Sequence, residues 1–129
     1  MSKISYSAVV LDEKSKQKLV DKFKSIIPKN WKILANHMTI NLGEIDPNYE
    51  KYLGMNIRLS VDDVAMNNNV IAVGVSNFPS KKPKPHITIA VNSSNNAKSN
   101  MSDALTDWKD IERPFFIVGK VTEVEFNLE

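Results

Sequence analysis

The chain has 129 residues, with 17 Lys and Arg against 15 Asp and Glu and a formal net charge of +2. That length suits one domain able to bury about two-thirds of its unfolded surface, and the near balance of charge excludes a basic nucleic-acid coat. With no cysteine, disulfides, thiolate zinc sites and cysteine nucleophiles are excluded.

Met1 to Tyr6 lacks the apolar core of a signal peptide, and no apolar run reaches the length of a bilayer span. The expectation is a single cytoplasmic domain over 1–129 (host cytoplasm if viral) with no membrane contact. Ile4 to Leu11 reads as a strand, with Ile4, Tyr6, Ala8 and Val10 on one face. Asp12 is placed to cap a helix over Ser15 to Ile27, whose apolar Leu19, Val20, Phe23, Ile26 and Ile27 have helical spacing and which Pro28 stops. Trp31 to Gly43 holds another strand. Asp46-Pro47-Asn48 signals a turn, and Tyr49 to Gly54 a loop or short helix.

Met55 to Ala65 alternates apolar with polar residues. Asn67-Asn68-Asn69 then turns the chain into Val70 to Val75 as a hairpin partner. After the loop Pro79 to Pro85 comes a strand from His86 to Val91. A helix over about Ala97 to Trp108, with Met101, Leu105 and Trp108 on one side, is expected next. Arg113-Pro114 opens two final strand-like runs, Phe115 to Val118 and Val121 to Phe126. Strands with two intervening helices make an α+β domain of mostly antiparallel sheet.

Both histidines of the chain lie in matching tetrapeptides, His37-Met38-Thr39-Ile40 and His86-Ile87-Thr88-Ile89. In a strand, alternate side chains share a face. His37, Thr39 and Asn41 then lie opposite Met38, Ile40 and Leu42, and His86, Thr88 and Ala90 opposite Ile87, Ile89 and Val91. Two such strands at one cleft supply a pair of imidazoles and a pair of hydroxyls. A neutral imidazole accepts a proton while a protonated one donates one, and both forms are accessible near neutral pH. Threonine hydroxyls can stabilise the charge developing on phosphate oxygens. Lys81, Lys82 and Lys84, just before His86, form a local basic loop suited to a phosphorylated ligand. Two histidines alone make an incomplete zinc set, and neither a Gly-x-Ser-x-Gly elbow nor a Gly-rich phosphate loop is present.

The paired His-x-Thr strands resemble the 2H phosphoesterase superfamily, named for two H-x-T/S-h motifs in which h is hydrophobic. The resemblance extends over almost the whole chain in element order and, more weakly, to Pro85 and the closing run Gly119 to Val124. It implies a bilobal, pseudo-two-fold α+β fold, with mostly antiparallel sheets, two outer helices and a central cleft. It also implies His37 and His86 as the catalytic pair and Thr39 and Thr88 as the phosphate-binding hydroxyls. The interval between the histidines is short for this family, so a reduced first-lobe insertion is expected.

The implied activity is a metal-independent phosphodiesterase that needs no cofactor. It hydrolyses a 2′,3′-cyclic phosphate or a related RNA or nucleotide phosphodiester, with an RNA end or nucleotide as partner. His86 is the preferred base and His37 the acid, the reverse order staying open. Two other readings also stay open: degradation of cyclic or 2′,5′-linked oligonucleotide signals, of the phage anti-defence kind, and a non-catalytic nucleotide- or RNA-binding module. A base needs an aromatic platform; Tyr6, Trp31, Tyr49, Tyr52 and Phe78 are candidates, of which Tyr49, Tyr52 and Phe78 are preferred as lip residues. Phe23 and Trp108 read as core.

Overall fold

The computed structural model describes residues 3–82 and 84–125, so Met1, Ser2, Pro83 and the end of the expected last strand at Phe126 lie outside the described residues. Seven strands form: β1 (Ile4–Leu11), β2 (Lys32–Ile33), β3 (His37–Leu42), β4 (Asn56–Met66), β5 (Val70–Val75), β6 (His86–Val91) and β7 (Lys109–Glu125). They join in the order β2-β6-β3-β1-β7-β4-β5, and β5 pairs back onto β6. All the pairings are antiparallel. Six strands therefore close into a barrel, and β2 shares the edge of β6 with β3.

Alternation decides what fills the barrel. Val9, Met38, Leu59, Val73, Ile87 and Ile117, from six different strands, belong to one fully or almost fully buried cluster. The helix α1 (Glu13–Phe23) adds Leu19 and Phe23 to it. Asp12 caps this helix by accepting from the Ser15 N–H at 2.7 Å. Ser15 Oγ in turn accepts from Val118 N–H at 2.7 Å, which ties the first helical turn to β7.

The helix ends at Phe23, a turn before the expected Ile27, in a tight turn where Ile26 N–H donates to Phe23 O. Pro28 disfavours helical geometry at Ile27. Among the described residues α1 is the one α-helix. The helix expected over about Ala97 to Trp108 is instead a 3-10 turn at Ser99–Ala104, preceded by another at Ser93–Asn95. Its Ser, Asn and Asp side chains compete for the backbone that a helix would need, and Asn96, at φ 56 in the left-handed region, separates the two turns. Leu105 still packs, with Val91 and Ala72, in a second small cluster on the outer face, against which Leu34 and Trp108 lie.

The two final runs form one strand, β7. Its residues between Asp110 and Phe115 oppose a single residue of β4, so Arg113-Pro114 bulges out of the ladder where proline's missing N–H costs no pairing. No helix among the described residues is long and apolar enough to cross a membrane.

Two further bulges position the motifs. In the β1–β3 pairing Ala8 opposes Thr39 but Ser7 opposes Asn41, leaving Ile40 as the extra residue. In the β5–β6 pairing Ala72 opposes Thr88 but Ile71 opposes Ala90, leaving Ile89 as the extra residue. Each His-x-Thr-Ile segment thus ends on a bulge at its isoleucine. Exchanging β3 with β6, β1 with β5 and β7 with β4 keeps every strand beside equivalent neighbours in the one closed sheet. A bulge also exchanges the faces beyond it. Leu42, expected in the core, is 77% exposed. Ala90 turns into the main core and Val91 into the outer cluster.

Candidate active site

β3 and β6 meet at a single bridge, Met38 opposite Ile87. Because Met38 and Ile87 point into the barrel, His37, Thr39, His86 and Thr88 all point out along the seam. Antiparallel direction brings His37 towards Thr88 and Thr39 towards His86. A groove of about 360 Å³ runs along this seam, lined by all four and flanked by Tyr6, Leu42, Lys82 and Asp103.

His37 stacks on Tyr6, with ring centroids 4.8 Å apart and an interplanar angle of 29°. Burial holds its pKa below the ordinary imidazole value of 6.5, and the neighbouring His86 lowers it further. The neutral form is therefore favoured at His37. Burial also raises the Tyr6 phenol above its ordinary value.

His86 is held differently. Its Nδ1 lies 2.6 Å from the carbonyl of Lys84. A carbonyl only accepts, so Nδ1 carries the hydrogen. Nε2 lies 3.7 Å from Asp103 Oδ1, and the Trp108 ring stands 6.4 Å away, tilted by 48°. The residue that supplies this carbonyl is itself anchored. Lys84 Nζ donates to Asp63 Oδ2 at 2.7 Å and sits 4.9 Å from the centroid of Trp108. Gly74, opposite His86 in register, makes room for the pair, since a Cβ there would overlap Asp63 Oδ1 and come within 2.7 Å of Lys84 Cε. Asp63 is buried and its Oδ1 has no partner among the described residues, so removing the lysine strands a carboxylate. Lys84→Met is expected to destabilise the fold by about 1–3 kcal/mol, measured by urea denaturation. An unchanged midpoint would show that the pair carries no stability.

The hydroxyls are not equivalent. Thr88 Oγ1 donates to Ser99 O at 3.2 Å and accepts from Ser102 Oγ at 2.8 Å. Thr39 has no side-chain hydrogen bond among the described residues, and its carbonyl accepts from Ser80 Oγ at 2.7 Å. Lys81 N–H donates to the next carbonyl, that of Ile40, at 2.7 Å. The basic loop thus seals the open edge of β3.

Of that loop's lysines, only Lys82 lines the groove. It donates to Asp103 Oδ2 at 2.7 Å. Lys81 pairs with Asp46 at 3.1 Å and Lys84 with Asp63, both away from the groove. The three preferred lip aromatics are also elsewhere. Phe78 is buried in the core, Tyr52 meets it edge-on at 5.3 Å, and Tyr49 packs against the same cluster. The 3-10 turn at Pro47–Tyr52 lays its tyrosines on this cluster, which takes their rings off the lip. Among the described residues, Tyr6 is the one Phe, Trp or Tyr that lines the groove.

Asp103, Ser99 and Asn100 line the groove from a segment that the sequence predicts as helix, and Leu42 from a position that it predicts as core. Asn36, directly before His37, was open to notice by position alone. Among the described residues no three His, Cys, Asp or Glu side chains converge as a metal site.

No protein-family model matches the chain, and no curated protein matches it. Among solved structures it is similar to the crystal structure of E. coli LigT complexed with NADP+, at 13% identity and a TM-score of 0.49, over 98% of this chain and 96% of that one.

Proposed function

We propose that the protein is a phosphodiesterase that opens a 2′,3′-cyclic phosphate at a nucleotide or RNA end by acid–base catalysis between its two histidines. The observation that carries this reading is the convergence of both imidazoles and both motif threonines on one groove. The unequal surroundings of the histidines support an order of events opposite to the one preferred from sequence. His37, favoured neutral, takes a proton from the attacking water as its oxygen bonds to phosphorus. His86, with Nδ1–H held by Lys84 O and Nε2 facing Asp103, gives the Nε2 proton to the ribose oxygen as the P–O bond breaks. The product is a monoester, and proton exchange with water restores both rings. Thr39 donates to a non-bridging oxygen, and Thr88 does so by releasing the Ser99 carbonyl. Tyr6, stacked on His37, offers an edge for a base. No step is routed through a metal.

The pH dependence follows from sign. A base must be unprotonated, and the His37 pKa lies below 6.5, so the acidic limb of kcat/KM is expected below pH 6.5 and should vanish in His37→Asn. The same shift makes the unfolded chain the stronger proton binder below pH 6.5, so folding stability contributed by this group falls as pH drops through that range. The test is hydrolysis of a nucleoside 2′,3′-cyclic phosphate in EDTA across pH 4–9 (a range of order set by the carboxylate and imidazole values), with products read by mass spectrometry. Ligand bound tightly and recovered intact would turn the reading into the binding-module alternative. Activity abolished by EDTA would remove its metal-independent part.

A further inference from the structure

The loop lysines that the sequence marks as the phosphate attractor are each neutralised by an aspartate: Lys81 by Asp46, Lys82 by Asp103 and Lys84 by Asp63. The uncommitted positive charge beside the groove is elsewhere. A second concavity of about 410 Å³ adjoins the catalytic groove, and Leu34 and Ser99 line both. Its wall carries Lys32 and Lys98, together with Ser93 and Asn96, and no carboxylate. Both lysines are exposed, and neither has a carboxylate within 4.0 Å among the described residues.

The backbone makes the two concavities one path. Ala35 N–H donates to Thr88 O and Leu34 N–H to Ile89 O, and Lys32 stands opposite Val91. The path therefore follows β6 from the motif threonine to the pair of lysines. Three strand residues span about 10 Å, a distance that flexible lysine stems can shorten. At the junction, half-buried Leu34 presents apolar surface and Ser99 a hydroxyl, a combination that suits a ribose or the edge of a base.

We infer that this second concavity is a phosphate subsite of the same groove, with Lys32 and Lys98 as its cations. The preferred substrate is then an oligonucleotide with a further phosphate beside the scissile one, not a mononucleotide. Resting on the phosphodiesterase reading of the site, this adds a length preference to it. An ammonium at each stem end binds a phosphate as a point charge, so the subsite recognises backbone and not base sequence.

The test compares two non-hydrolysable product-like probes by calorimetry: a nucleoside 3′-monophosphate, and a dinucleotide carrying the same 3′-phosphate. Wild type is expected to bind the dinucleotide at least about ten-fold more tightly at low salt, and this preference should fall below about two-fold in the double variant Lys32→Ala/Lys98→Ala. Each lost phosphate contact should also flatten the salt dependence by about 0.7 in log–log slope. Lys14→Ala/Lys24→Ala, which removes two exposed charges from the α1 region, should keep the preference. Thermal melts of both double variants check folding.

An absent preference in wild type, or its survival in Lys32→Ala/Lys98→Ala, overturns the subsite. If wild type hydrolyses the cyclic mononucleotide yet shows no preference, the subsite alone falls. A dinucleotide preference that depends on the two lysines, with no hydrolysis of any cyclic phosphate, supports the subsite and rejects the enzymatic reading.

Discussion

His37→Ala and His86→Ala are each expected to lower turnover by about 10²–10⁴-fold, the usual contribution of a positioned proton-transfer group. The two losses should have different signatures. His37→Ala removes the group assigned as base and unstacks Tyr6, so both kcat and the acidic limb of the pH profile change. His86→Ala removes the proton donor and leaves the Lys84 carbonyl without its ring partner, so substrates with better leaving groups should be spared most. The double variant should lose little beyond the worse single one, because two groups working in one transition state are not additive. Thr39→Ala should cost more than Thr88→Ala, since Thr39 is free to donate whereas Thr88 already donates to Ser99. Steady-state kinetics on a purified cyclic phosphate, with thermal melts to confirm folding, measures all of these. Near-wild-type turnover in either histidine variant would remove the two-histidine mechanism.

Local alternation was enough to read the floor of this site. It placed Met38, Ile40, Ile87 and Ile89 inward and His37, Thr39, His86 and Thr88 outward, as found. The same rule fails beyond the bulge on each strand. Leu42 and Ala90 changed faces because a bulge depends on the partner strand, which has no local signature in the tetrapeptide. The closure of the sheet through β5 and β6 is likewise a long-range pairing, as are the aspartates that neutralise the loop lysines. Lys84 and Asp63 are 21 positions apart. The 3-10 turn at Ser99–Ala104 departs from expectation for another reason: Met101, Leu105 and Trp108 have helical spacing, but Ser99, Asn100, Ser102 and Asp103 around Met101 favour turns. Phe78 was placed at the lip because it precedes the basic loop, yet Ser80 and Lys81 are stitched to β3, and its ring is buried with the core. Asp103, which faces His86 and holds Lys82, became visible once that segment was folded back over β6.

Ile40→Ala and Ile89→Ala are expected to destabilise the fold by about 2–5 kcal/mol each, a large share of the roughly 5–15 kcal/mol available to a domain of this kind. Both side chains are fully buried, and both are the extra residue of a bulge. Neither truncation removes a hydrogen-bonding group, so the cost arises from lost packing and the cavity left behind. Urea unfolding should show lower midpoints with unchanged slopes. The informative companion is Leu42→Ala. Uninterrupted alternation would put Leu42 in the core beside Ile40, and its truncation would then cost as much. With the bulge, Leu42 is 77% exposed at the groove, and its truncation should shift stability by no more than about 0.5 kcal/mol. A loss at Leu42 as large as that at Ile40 would mean that β3 pairs in the unbulged register. That register would also turn the residues beyond Ile40 to the opposite faces and put Asn41, not Leu42, beside Tyr6 at the groove. The stability of two aliphatic residues thus tests the local geometry on which the candidate site depends, without requiring a substrate.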